Sequence, residues 1–125
     1  MVVLMRRHFL LLAIAALALA QVRPAQDPAT QTPDRVVNIV AERFTFNPSR
    51  IVVKNGELVE FVIISDDTDH GFNLAAAGID AAIPQQGKGE LRIRFLASVN
   101  GRFGFECSRA CGAGHNLMRG VVVVE

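Results

Sequence analysis

From Arg35 to the C-terminus, apolar and polar positions alternate in short stretches, and nearly every stretch stops at a turn residue. Val36 to Val40 and Phe44 to Phe46 are β-branched or aromatic, with Phe44 and Phe46 on one face by two-residue alternation. Asn47-Pro48-Ser49 predicts a turn. Ile51-Val52-Val53 and Leu58 to Ile64 read as two strands joined by a tight Asn-Gly turn within Lys54-Asn55-Gly56-Glu57. Asp66, Asp67 and Asp69 crowd a loop, after which His70-Gly71-Phe72-Asn73-Leu74 restarts a strand. Ala75 to Gly87 is the least regular stretch and has room for a short helical turn. Leu91, Ile93 and Phe95 alternate with Arg92 and Arg94, the signature of a half-buried strand. Asn100-Gly101 turns the chain into Phe103 and Phe105, and Val121 to Val124 closes it as a buried strand. No segment after Ala20 sustains a helical period. About seven or eight short strands with frequent turns predict an all-β, antiparallel sandwich of Greek-key type.

The apolar run from Phe9 to Ala20 belongs to a different pattern. It follows the basic pair Arg6-Arg7 and ends in the small-x-small sequence Ala18-Leu19-Ala20. That is the layout of a signal peptide over residues 1–20, and the run is short for a bilayer core of about 30 Å. An uncleaved anchor is the alternative. The arginine pair fits twin-arginine export, and the Leu-rich run fits the general secretion route equally well. Residues 21–34 carry three prolines and almost no large apolar group, which predicts a disordered linker before a single domain over 35–125. An exported, periplasmic protein with no stable membrane span after cleavage is the expectation.

Composition narrows the function. The chain has 125 residues, half of them apolar, with a formal net charge of +1. No basic excess marks it for nucleic acid. It has eight Phe and no Trp or Tyr, so the core must be built from Phe, Val, Ile and Leu.

Beyond residue 20 the only His, Cys and Met are His70, Cys107, Cys111, His115 and Met118. Four of the five fall in Cys107-Ser-Arg-Ala-Cys111-Gly-Ala-Gly-His115-Asn-Leu-Met118, a loop between two expected strands. Gly112 and Gly114 give that loop freedom to bring several side chains to one point. Two thiols, two imidazoles and a thioether form a soft donor set that selects copper over magnesium or calcium. A Cys107–Cys111 disulfide is the default for an exported pair, but it leaves His115 and Met118 unexplained. Zinc has little use for a thioether. No nucleophile–base pair stands beside an open site, so the expectation is a carrier and not an enzyme.

Cys107-x3-Cys111-x3-His115-x2-Met118, with His70 in Asp69-His70-Gly71-Phe72, resembles the binuclear copper (Cu-A) domain of cytochrome c oxidase subunit II and nitrous oxide reductase. Phe44-Thr-Phe-Asn-Pro48, Val53-Lys-Asn-Gly56 and Met118-Arg-Gly120 extend the resemblance over residues 36–125. It implies a cupredoxin-like β-sandwich holding two copper ions. Cys107 and Cys111 would bridge them, His70 and His115 would cap one each, Met118 would be a weak ligand, and Arg109 would offer its backbone carbonyl. The implied partner is a redox protein, cytochrome c-like or a terminal oxidase or reductase. A copper carrier serving a delivery partner and a mononuclear centre are the alternatives. Three departures limit the likeness: Arg109 stands where oxidase subunits commonly have Glu, the aromatic electron-entry segment is absent, and the membrane helices are missing. The expectation is a free-standing Cu-A-type protein or a relict subunit II. Asp66, Asp67 and Asp69 read as a solvated, turn-forming loop, with an acidic docking rim as the alternative.

Overall fold

The computed structural model describes residues 26–125; the expected signal peptide and the first part of the linker lie outside the described residues. The described chain forms nine strands: β1 Arg35–Glu42, β2 Thr45–Asn47, β3 Arg50–Val53, β4 Leu58–Ser65, β5 His70–Leu74, β6 Ile79–Ile83, β7 Leu91–Leu96, β8 Gly101–Glu106 and β9 Arg119–Val124. Two single-turn 3-10 helices, Ala75–Ala77 and His115–Leu117, complete it. The strands make a four-stranded sheet in the order β2-β1-β4-β7 and a five-stranded sheet in the order β3-β9-β8-β5-β6. The all-β sandwich expected from the alternation is present.

Its pairing differs from the antiparallel expectation in two places. β1 runs parallel to β4, from Arg35 opposite Val59 to Ala41 opposite Ser65. β3 runs parallel to β9, with Val53 opposite Val124. The Asn55-Gly56 turn is real, with Gly56 at φ +89° and the Glu57 N–H donating to the Lys54 carbonyl at 3.1 Å. However, it carries the chain from one sheet to the other instead of closing a hairpin. β6, hidden in the irregular stretch, pairs antiparallel with β5 along its whole length.

Alternation decides which side chains meet between the sheets. Ile39 and Ala41 of β1 and Phe95 of β7 point inward, against Phe72 and Leu74 of β5 and Phe105 of β8. Phe46, Phe72 and Phe105 form a mutual edge-on and tilted cluster with centroids 5.0–5.9 Å apart. Such pairs add to simple area burial. Residues 26–34 carry no strand. They lie against β7, where the Arg94 guanidinium donates to the carbonyls of Pro28, Ala29 and Gln31.

The register then gathers one end of the sandwich. β4 ends at Ser65, β5 begins at His70, and Glu106 of β8 lies opposite Arg119 of β9. The loops from Asp66 to Asp69 and from Cys107 to Met118 therefore leave from the same pole.

Candidate metal centre

His70 is fully buried at the first position of β5, so its imidazole faces the core and not the solvent. Its Nε2–H donates to Asp67 Oδ1 at 2.7 Å, which leaves Nδ1 turned toward Cys107 Sγ at 3.9 Å. A carboxylate on the far nitrogen fixes the tautomer and ring plane of a metal-binding histidine. Asp67 is itself held: Oδ2 accepts the Arg43 backbone N–H at 2.9 Å, and Oδ1 accepts the Thr68 N–H at 2.8 Å. Burial alone would raise the Asp67 carboxyl; the bonds from His70, Arg43 and Thr68 outweigh it and hold the group below its ordinary 3.8. The acidic loop does form local turns, as its composition implied. The orienting role of Asp67 was not read from the sequence.

Cys107 and Cys111 are both buried and both free thiols. Cys107 follows β8 directly and keeps its backbone N–H on the Met118 carbonyl at 3.1 Å. Its sulfur receives the Gly71 N–H at 3.5 Å and faces the Arg109 carbonyl at 3.1 Å. The two sulfurs stand 3.7 Å apart. That is far beyond the ~2.05 Å of a disulfide. It matches two metal–thiolate bonds of about 2.3 Å meeting near the tetrahedral angle. Burial, then the neighbouring Cys107, push the Cys111 thiol up from 9.0 to about 11.

His115 opens the short 3-10 turn and Met118 caps it, with the Met118 N–H on the His115 carbonyl at 3.2 Å. Residues three apart eclipse in that geometry. Accordingly His115 Nδ1 lies 3.7 Å and Met118 Sδ 3.9 Å from Cys111 Sγ. Met118 is fully buried, whereas His115 keeps part of its ring exposed. The side chains of His70, Cys107, Cys111, His115 and Met118 thus lie in contact around the two sulfurs, and Arg109 approaches them through its backbone carbonyl and not its side chain. The donors are soft or borderline, convergent and, apart from His115, buried, so this chain fits copper.

Glycine makes the convergence sterically feasible. A methyl group at Gly71 would collide with Ser108 Oγ and come within 2.9 Å of the Arg109 backbone nitrogen. Gly112 sits at φ +139°, which L side chains rarely adopt. Gly114 differs from expectation: it does not loosen the loop, because the Phe44 ring lies directly on it, with three ring atoms under 3.0 Å from where a Cβ would be. The loop is further tied by Ser108 Oγ–H to Asp80 Oδ1 at 2.6 Å and by Arg43 Nε–H to the Cys111 carbonyl at 2.7 Å.

Comparison with known proteins shows the family and the fold. A family profile described as cupredoxin-like domain matches residues 9–124. Cytochrome c oxidase subunit 2 of Thermus thermophilus is 31% identical over 104 residues, 82% of this chain and 75% of that one. The same subunit from a named strain of that organism is also 31% identical over 104 residues, which are 60% of its length. The periplasmic domain of subunit II of cytochrome oxidase from Bradyrhizobium japonicum superimposes with a TM-score of 0.69 at 16% identity, covering 76% of this chain and 86% of that one. The metal-binding domain of a Cu(I)-exporting P-type ATPase from Streptococcus pneumoniae, solved with Cu(I), gives 0.56 at 22% identity over 72% and 84%. At these identities the solved structures show the shared fold alone.

Proposed function

The chain belongs to the cupredoxin-like domain family and is homologous to cytochrome c oxidase subunit 2; from that premise we propose an exported, copper-binding electron carrier with a binuclear centre. The observation that carries this reading is that each of two neighbouring sulfurs has its own imidazole: His70 Nδ1 stands 3.9 Å from Cys107 Sγ, His115 Nδ1 3.7 Å from Cys111 Sγ, and the sulfurs 3.7 Å from each other. A single ion would leave part of that donor set idle, whereas two ions would use both thiolates and both imidazoles.

Copper, when bound, supplies the one-electron chemistry. His70, Cys107, Cys111, His115 and Met118 would hold it, together with the Arg109 carbonyl. The residues around them keep the donors still: Asp67 holds the His70 ring, the Cys107–Met118 bond holds the loop base, and Phe44 covers Gly112 and Gly114. A centre whose ligands do not move suits fast electron exchange, whereas a copper-delivery protein benefits from ligands that let go. The packed loop therefore favours the carrier of electrons over the carrier of copper. His115, the partly exposed imidazole of the two at the centre, is where a redox partner would approach.

Among the described residues, no helix is long and apolar enough to cross a membrane. Export rests on the residue 1–20 pattern, and intact mass of the protein from the exported fraction tests it: a mass retaining residues 1–20 in a membrane pellet would replace the soluble carrier with an anchored one. The copper content and electron-spin spectrum of the loaded protein test the centre. Two ions per chain and seven hyperfine lines are expected; one ion and four lines would overturn the binuclear reading.

A further inference from the structure

The turn between β1 and β2 touches both halves of the candidate centre, although it contributes no donor to it. Its two residues are Arg43, which carries no signal in the sequence, and Phe44, which alternation places on a strand but which lies in the turn before β2. The Arg43 backbone N–H donates to Asp67 Oδ2 at 2.9 Å, on the carboxylate that holds His70. The Arg43 side chain turns the other way, and its Nε–H donates to the Cys111 carbonyl at 2.7 Å. These two acceptors belong to loops separated by more than forty residues of sequence. The Phe44 ring then lies on Gly112 and Gly114, the two residues that lead from Cys111 toward His115.

From this geometry we propose that Arg43 is a positioning residue of the metal centre, fixing the His70-bearing loop and the cysteine-bearing loop relative to each other. The inference rests on the copper-centre reading above. Arg43 is suited to the task because the guanidinium presents donors in a rigid planar fork that holds a direction better than an ammonium does. Without the side chain, the Cys111 carbonyl loses a charge-assisted bond, and the loop is left to Phe44, the Ser108–Asp80 bond and the Cys107–Met118 bond at its base. The Asp67 side keeps its bond, since a backbone N–H survives any non-proline substitution. Removing the Arg43 side chain therefore loosens one half of the centre and leaves the other in place. Outer-shell contacts of this kind are worth about 10- to 100-fold in metal affinity.

The experiment loads wild type, Arg43→Met, Arg43→Lys and Gly114→Ala with copper. It measures copper released to a chelator over time, the electron-spin spectrum, and the unfolding midpoint of each metal-free form. Arg43→Met keeps a stem of similar bulk, and its site is on the surface, so folding is expected to survive. Gly114→Ala reaches the same bracket from the other side by displacing Phe44. The expected result is release about tenfold faster or more in Arg43→Met and Gly114→Ala, with altered hyperfine couplings. The metal-free Arg43→Met should lose less stability than the change in copper release corresponds to, because Arg43 is exposed. Arg43→Lys, which keeps the charge but not the Nε donor, should restore the release rate only partly. Wild-type release and spectrum in Arg43→Met would overturn the inference and leave the copper reading intact. So would faster release matched by an equal loss of metal-free stability, or complete rescue by lysine, which would assign the effect to charge alone. A wild-type protein that takes up no copper would overturn the copper reading and this inference with it.

Discussion

Asp67 Oδ1 lies 2.7 Å from His70 Nε2, and the same carboxylate accepts the backbone N–H groups of Arg43 and Thr68. One side chain thus sets a turn and aims an imidazole. The two tasks are compatible because a carboxylate has more lone pairs than the turn uses. His70 is fully buried while Asp67 remains partly exposed, so the cost of desolvating a charge stays small.

Asp67→Asn should weaken copper binding by about tenfold, near the low end for an outer-shell partner of a ligating histidine. The amide oxygen still accepts from a backbone N–H, so the fold is expected to persist. Competition against a chelator of known affinity measures the effect. Equal affinity in wild type and variant would mean that the strand alone orients His70.

Much of the site was legible in the sequence because it consists of rare residue types at tight spacing. The five soft side chains have no structural reason to cluster, so their spacing pointed to one centre, and the structure gathers them. What stayed hidden works through common residues in ordinary contexts. Asp67 looked like any turn-forming aspartate, and the turn reading was half of the truth. Arg43 carried no signal in the sequence at all. Gly114 looked like a flexible link, but a ring that packs on it comes from a segment seventy residues away. The fold divides in the same way. Alternation located β1, β4 and β7, whereas Ile79-Asp-Ala-Ala-Ile83 has too little β propensity to stand out and becomes a strand by pairing with β5. The parallel β1–β4 and β3–β9 pairs join distant segments, and no local pattern encodes such a partner.

Gly71→Ala should disrupt the centre more than its size suggests. The added methyl meets the Arg109 backbone nitrogen at 2.9 Å, and backbone next to Cys107 cannot step aside as a flexible side chain can. A cost of about 1–3 kcal/mol is expected from overpacking. Chemical denaturation of the metal-free protein reads that cost. A variant as stable as wild type, with unchanged copper content, would show that the ligand loop has slack.

Arg109→Ala should leave copper stoichiometry unchanged, since the group that faces Cys107 Sγ is the backbone carbonyl. Among the described residues, no ion pair joins Arg109 to Asp66, Asp67 or Asp69. Copper per protein checks this. The loss of one ion would assign a structural part to the guanidinium.

The metal-free protein should lose stability in alkali. Cys111 titrates at about 11 when folded and has an ordinary value of 9.0, so the folded state holds its proton more tightly. The resulting contribution is complete below pH 9 and disappears as the pH rises from 9 through about 11. Asp67 acts at the other extreme: its folded value lies below 3.8, so its contribution is present above that and is lost as the pH falls further. Denaturation midpoints across pH measure both. Cys111→Ser should flatten the alkaline limb, and an unchanged limb would place the titration elsewhere.

The two cysteines separate the binuclear reading from its rival. Both sulfurs are buried and 3.7 Å apart, and each has an imidazole nitrogen within 4 Å. If both thiolates are shared by two ions, Cys107→Ser and Cys111→Ser should each abolish the shared centre. A serine hydroxyl is a hard, weak donor that stays protonated at neutral pH, so it cannot take the place of a bridging thiolate. Each variant should then hold one copper with four hyperfine lines. A mononuclear centre behaves differently. Met118 and His115 both lie against Cys111, and His70 is within reach of it, so a single ion would choose His70, Cys111, His115 and Met118 and leave Cys107 spare. Cys107→Ser would in that case keep the copper content and colour of the wild type. Copper per protein and electron-spin spectra of both variants decide between them, and an unaffected Cys107→Ser would falsify the shared centre.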